Sequence, residues 1–74
     1  MNLQRRNWVP DVNMIADQLI EDYRVGGEDQ GFNDAVGTIT SWLATAKDHG
    51  EEFQEDDWIA LVWELARRCG GGEA

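Results

Sequence analysis

The sequence predicts an all-α fold, a small antiparallel three-helix bundle. Apolar residues recur at spacings of three and four in three segments, and no alternating strand pattern occurs. The two predicted connections, 26–31 and 50–53, are short and contain glycine, which favours antiparallel neighbours. We therefore expect one domain, 1–74, with helices at about 10–25, 33–49 and 54–69, and with 1–8 and 70–74 as terminal segments.

The first predicted helix begins near Pro10, whose missing N–H is not needed at a first helical position. Asp11 follows in the first turn, where a negative charge suits the helix dipole. Apolar side chains such as Ile15 and Leu19 then share one face. The pair Gly26-Gly27 predicts the end of this helix. Ahead of the helix, we expect Trp8 to pack against the domain, because a large aromatic ring in a disordered arm would stay exposed to water.

The second predicted helix has Asn33 as its N-cap and ends at Gly50. Gly37 lies in its interior and lowers the helix propensity by about 1 kcal/mol relative to alanine. We interpret this glycine as a point where another helix approaches closely. Tertiary packing must then stabilise the helix.

The third predicted helix has Gln54 as N-cap, with Phe53 and Trp58 placed to form a hydrophobic staple. Acids fill its first turn and arginines its last, in accord with the helix dipole. Its apolar residues cover about 200° of the helical circumference, which is wider than one neighbour buries. A central position between the other two helices is expected. The alternative is an edge at Ile59 and Trp63 that meets a partner or a second copy.

Composition sets limits on function. The chain of 74 residues carries fifteen acidic and six basic residues, for a net charge of −9, and its single cysteine excludes an internal disulfide. Neither a targeting signal nor an apolar run of about 20 residues is present, so a cytoplasmic location is expected. Nucleic acid and membrane surfaces are anionic and would repel the chain, whereas a basic protein surface would attract it.

The chain offers no pattern that supports catalysis, a cofactor or a bound metal. The glycine-rich segment 26–31 lacks both phosphate-loop spacings and contains two acids. An EF-hand with Gly31 at its sixth position would have glycine at positions one and twelve, where ligands are required. His49 and Cys69 are too few for a transition-metal site, and nothing local pairs them as base and nucleophile. We expect a protein that is not an enzyme.

The acids fall into two groups. Asp11, Asp34, Glu55, Asp56 and Asp57 have a structural reason at predicted helix starts. Most of the others have none, and Asp17 and Glu21 are like charges one helical turn apart, which disfavours a helix by a few tenths of a kcal/mol. These acids either provide a solvated face or bind a basic site. The candidate binding acids are Asp17, Glu21, Asp22, Glu28, Asp29, Asp48, Glu51 and Glu52.

In size and charge, the chain is similar to the DNA-mimicking inhibitors of phages and mobile elements, such as anti-CRISPR and antirestriction proteins. That resemblance implies a non-catalytic inhibitor or regulator, whose acids occupy a basic site on a nucleic-acid-handling protein. The alternative is a helical dimerisation or protein-interaction module. It would use the apolar face of the third helix around Ile59 and Trp63, associate as a homodimer or with another protein, and use its acids for solubility.

Overall fold

The structure is a computed structural model that describes residues 6–70, and its helices confirm the all-α class. Within that range there is no strand, and two helices occur, α1 (Val12–Asp48) and α2 (Glu55–Arg68). A bundle of three separate helices is therefore not supported for the described residues. The predicted loop 26–31 and the predicted N-cap Asn33 both lie inside α1.

α1 bends at Gly27, whose φ of 75° and ψ of −167° depart from helical values. We call residues 12–26 the first arm and residues 28–48 the second arm. Trp42 Nε1 donates a hydrogen bond to Gln18 Oε1 at 2.8 Å, and Thr38 Oγ1 donates one to Asp22 Oδ2 at 2.7 Å. Gln18 precedes Asp22, whereas its partner Trp42 follows Thr38, so the two arms lie antiparallel. The chain thus reverses direction at the glycine pair, where a helix end was predicted, and a helical segment resumes directly after Gly27 without the predicted loop.

Gly26 and Gly31 are the glycines at which the two arms come closest. A Cβ atom added to Gly26 would lie 2.8 Å from Gly31 N, and one added to Gly31 would lie 2.8 Å from Tyr23 Cδ1 and 2.9 Å from Tyr23 Cα, closer than van der Waals contact permits. No atom lies within 4 Å of a Cβ added to Gly37, so the close approach predicted at Gly37 is wrong. Only glycine allows Tyr23 to pack directly on the backbone of the second arm.

The ends of the helices follow local sequence rules. Asp11 is the N-cap of α1 and accepts a hydrogen bond from Met14 N at 3.1 Å. Gln54 is the N-cap of α2, as predicted, and its N–H donates to Asp57 Oδ2 at 2.8 Å. The rings of Phe53 and Trp58 have centroids 4.7 Å apart, which confirms the hydrophobic staple. Acids in the first turn of α2 and arginines in its last turn are also as predicted.

The buried core is small and is centred on the first arm. Ile15, Ala16 and Leu19 of that arm pack with Leu61 of α2, and these four form the buried cluster. The only buried residues of α2 are Leu61 and Asp57. The expected central position of the third predicted helix is therefore wrong, because the first arm supplies most of the buried apolar surface.

The segment that precedes α1 packs against the connection between α1 and α2. The ring of Trp8 stacks on His49, with centroids 5.4 Å apart and planes within 5°, and also contacts Phe53. Arg6 donates to both oxygens of Asp57, at 3.1 and 3.0 Å. The expected packing of Trp8 is confirmed.

The molecule is flat, with extents of 43 × 31 × 15 Å. Its Cα radius of gyration is 13.8 Å, whereas a compact domain of this length has about 11 Å. Its accessible surface is 5306 Å², against about 4,600 Å² for a compact monomer of the same mass. A chain this flat leaves apolar side chains without neighbours.

Candidate functional site

An open groove of about 600 Å³ lies where the two arms of α1 meet the end of α2. The first arm contributes Leu19, Ile20 and Tyr23, α2 contributes Leu65, and Cys69 directly follows the end of α2. The second arm adds Phe32, Ala35, Val36, Ile39 and Thr40. We call this the apolar groove, because most of its lining residues have apolar side chains. Its volume falls in the range of about 300–1,000 Å³ that is typical of binding clefts.

Three large side chains of the apolar groove are exposed to solvent. Phe32 is 59% exposed, and Val36 and Tyr23 are each nearly half exposed. Phe32, Val36, Ile39 and Leu43 follow one another at spacings of four, three and four, so they lie along one side of the second arm. Phe32, Val36 and Leu43 are exposed and Ile39 is half-buried, so this row forms a partly exposed apolar ridge of about three helical turns along the groove.

A second exposed apolar surface runs along α2. Trp63 is 71% exposed, and Val62 and Ile59 are also exposed. These three residues, which we call the α2 stripe, border a shallow depression of about 210 Å³ together with Trp58. The sequence singled out Ile59 and Trp63 but not Val62, although Val62 follows Ile59 by three residues and therefore lies on the same side of the helix.

A third surface is polar and lies between the two arms. This acidic groove, of about 710 Å³, is lined by Asp17, Glu21 and Asp22 from the first arm. The second arm adds Thr38, Ser41, Trp42 and Thr45 to the lining. Three of the eight predicted binding acids are thus brought together, although each already has a partner. Asp17 pairs with Arg68, Glu21 with Arg24 at 2.8 Å, and Asp22 accepts the Thr38 hydroxyl.

The other five predicted acids lie at two distant places. Glu28 and Asp29 follow the kink, whereas Asp48, Glu51 and Glu52 lie near the connection between the helices. The second arm places residues 28 and 48 about 30 Å apart, at 1.5 Å per residue. Glu51 accepts from the Asn7 N–H at 2.9 Å and lies 3.9 Å from Arg6. The eight acids therefore form separate clusters along the molecule.

Ion pairs engage most of the described cations. Besides Arg6 and Arg24, both arginines of the last turn of α2 contact Glu64, and Arg68 does so at 2.6 Å. The hydrogen bond from Arg68 holds the pKa of Glu64 below its ordinary value, and Arg6 does the same for Asp57. In residues 6–70, Glu28, Asp29, Asp48 and Glu52 make no ion pair. The charges that are not engaged in ion pairs are therefore mostly negative.

We also searched residues 6–70 for a metal site and for a membrane-spanning helix. Among residues 6–70, no three His, Cys, Asp or Glu side chains are grouped so as to hold a metal ion. His49 is stacked on Trp8, and Cys69 is a free thiol at the rim of the apolar groove. In the same range, no helix combines the length and the apolar character that crossing a bilayer requires.

Comparison with protein-family models, with curated proteins and with solved structures found no match to this chain. Within residues 6–70, fold and surfaces together define an acidic, all-helical structure with a small core and exposed apolar surfaces.

Proposed function

We propose that the protein is a non-catalytic binding module that seats another protein on its apolar surface. One observation carries this proposal. Among residues 6–70, ten large apolar side chains are at least 42% exposed, whereas the buried core cluster holds four residues. Six of the ten lie together in the apolar groove or the α2 stripe, namely Tyr23, Phe32, Val36, Ile59, Val62 and Trp63. Contiguous exposed apolar surfaces, unlike scattered single residues, mark interaction sites in natural proteins.

Burying the apolar surface would be favourable by about 25 cal/mol for each Å² removed from water. The surface also contains Tyr23 and Trp63, and aromatic residues of these types supply a large share of the energy at protein interfaces. A chain of this size has a net stability of only about 3–5 kcal/mol from its own core. A bound partner would therefore stabilise the fold as well, since a ligand that binds only the native state raises its stability.

The acids contribute attraction and specificity in this proposal. With a net charge of −9, the protein attracts a basic partner over distances of about a Debye length, 8 Å at physiological salt. Such long-range attraction raises the association rate more than it raises the affinity. The apolar contacts then set the lifetime of the complex.

The proposal is tested by charged substitutions on the apolar surface. Val36→Asp in the apolar groove and Val62→Asp in the α2 stripe each place a carboxylate on one exposed apolar position. We expect at least one of them to weaken the affinity for the natural partner by about tenfold or more, equivalent to about 1.4 kcal/mol. Ala44→Asp and Ala60→Asp are the matched controls, because they add the same charge at exposed positions outside both surfaces. Unchanged affinity in both Val variants would contradict the proposal.

A second candidate function is the acidic decoy. In it, the protein is an inhibitor of the anti-defence type carried by phages and mobile elements, and its acids occupy a basic site on a nucleic-acid-handling protein. The observation in its favour is the acidic groove, where Asp17, Glu21 and Asp22 lie side by side. Asp17 and Glu21 are one turn apart, about 6 Å along the axis, which is comparable to the spacing of backbone phosphates. Their pairing with arginines reduces the charge that they present.

The two functions respond differently when acids are neutralised. In the combined variant Asp17→Asn, Glu21→Gln, Glu28→Gln and Asp29→Asn, the decoy function predicts loss of partner binding. The apolar-surface function predicts a slower association rate and little change in dissociation rate. Glu55→Gln with Asp56→Asn is a control for charge removed from the exposed start of α2. Both rates can be measured by surface plasmon resonance. A higher dissociation rate in the variant with four substitutions would favour the decoy.

A further inference from the structure

We propose that the apolar groove receives an amphipathic α-helix from a basic partner protein. This inference rests on the proposed function and narrows it to one of the two apolar surfaces and one kind of partner.

The shape of the groove suits a helix. Its lining comes from three helical segments, the two arms and the end of α2, so it is a trough between helices. The exposed side chains of Phe32 and Val36 and the half-buried side chain of Ile39 extend over about 10 Å of the second arm. An amphipathic helix places anchors at i, i+3, i+4 and i+7 over the same length. Helix-in-groove binding therefore matches both the length and the apolar character of this surface.

The charges around the groove select a basic helix. Arg24 is neutralised by Glu21, and Arg68 by Asp17 and Glu64, so these cations add little net positive charge nearby. Glu28 and Asp29 precede Phe32 by four and three residues, which places them on the same side of the second arm as Phe32. Neither forms an ion pair in residues 6–70. Lysines or arginines beside the apolar anchors of a bound helix would therefore meet free carboxylates.

The same charges disfavour a second copy as the occupant. Each copy carries −9, and α2, the helix with an exposed apolar stripe, begins with Glu55, Asp56 and Asp57. Placing that helix in the groove of another molecule would bring further carboxylates toward Glu28 and Asp29. Like charges brought together in an interface weaken binding. A basic helix avoids this cost and gains charge complementarity.

The test uses the full chain and designed peptides. The first peptide has about 18 residues, with leucines at i, i+3, i+4 and i+7, a few lysines beside them and alanine, the best helix former, at the remaining positions. The second has the same composition in scrambled order, and the third has glutamates in place of the lysines. We expect saturable binding of the first peptide, with NMR shifts of the Ile20, Val36 and Ile39 methyl groups. The scrambled peptide should bind at least about tenfold more weakly, and the acidic peptide should not bind.

Two substitutions locate the binding surface. Val36→Asp should abolish binding of the lysine peptide, whereas Val62→Asp should leave it unchanged. Circular dichroism confirms that each variant is folded. The proposal is overturned if the scrambled peptide binds equally well, if the shifts are confined to Ile59 and Val62, or if the lysine peptide does not bind. It is also overturned if sedimentation shows a dimer that Val36→Asp dissociates, because the occupant is then a second copy. The effect of Val62→Asp on the natural partner still tests the proposed function in each of these cases.

Discussion

At the scale of single residues, two isoleucines occupy opposite environments. Ile15 is fully buried in the core cluster, and Ile59 is 47% exposed on the α2 stripe. We predict that Ile15→Val lowers the free energy of unfolding by about 0.5–1.5 kcal/mol, because it leaves a cavity in the core. Ile59→Val is the matched control and should change stability by less than about 0.5 kcal/mol. Urea denaturation of both variants measures the difference, and equal losses would place Ile59 in a core.

Asp57 gives the stability a predicted dependence on pH. The hydrogen bond from Arg6 holds the pKa of Asp57 below its ordinary value, and the Gln54 N–H acts in the same direction. Because the folded pKa is depressed, the carboxylate stabilises the fold above its unfolded pKa, and this contribution is lost as the pH falls through the folded pKa. Asp57→Asn should therefore lower stability at neutral pH and flatten its decline in acid.

The control for Asp57 is its exposed neighbour Asp56, which lies in the same first turn of α2. Asp56→Asn removes the same charge but no contact with Arg6, so the acid decline of stability should persist. Thermal unfolding between about pH 6 and pH 3, a range that spans the ordinary carboxyl pKa, measures both variants. A decline of the same steepness in Asp57→Asn and in the wild type would show that the Arg6 pair does not form in solution.

At the scale of elements, two glycines of α1 predict opposite effects for one substitution. Gly27 forms the kink with φ of 75°, a region that costs other residues about 1–3 kcal/mol. Gly37 lies within the second arm with open space around it. Gly27→Ala should therefore destabilise the protein, whereas Gly37→Ala should stabilise it by about 0.5–1 kcal/mol. Chemical denaturation gives the sign of each change, and a stabilising Gly27→Ala would contradict the kink.

The start of α2 and the reversal at Gly27 differ in how far the sequence predicts them. The start of α2 was predictable because Phe53, Gln54 and Trp58 act through neighbours in the chain. The kink was not, because two adjacent glycines are equally consistent with a helix end. The second arm begins five residues before the predicted N-cap Asn33, since Glu28 and Asp29 also suit the first turn of a helix. The local sequence identified the glycines at which the helix is interrupted, but not that a helix resumes directly after them.

At the scale of the whole molecule, the candidate surfaces were only partly predictable. The wide apolar arc of α2 indicated Ile59 and Trp63, although periodicity cannot tell a neighbouring helix from a partner. The apolar groove was missed because its lining comes from three segments that meet only in the folded chain. Likewise, the pair of Asp17 with Arg68 joins residues 51 positions apart, so the charge that Asp17 presents to a partner could not be read from the sequence.

The flat shape predicts that the native protein binds a dye that recognises apolar surface, such as ANS. Exposed apolar side chains line the groove in the folded state, so the dye should fluoresce while the near-ultraviolet circular dichroism still shows fixed tertiary packing. Val36→Asp should lower this fluorescence, and the control Ala44→Asp should not. Dye binding that appears only after the tertiary signal is lost would indicate a surface already covered, for example by self-association.

The salt dependence of the complex with the natural partner tests the central claim most directly. Raising the salt from about 0.1 M to about 1 M shortens the Debye length from roughly 10 to 3 Å and suppresses attraction between exposed charges. If the apolar surface binds the partner, association should slow with salt while the dissociation rate changes little, so the complex persists. Dissociation of the complex at high salt, with Val36→Asp and Val62→Asp binding like the wild type, would contradict that claim and favour the acidic decoy.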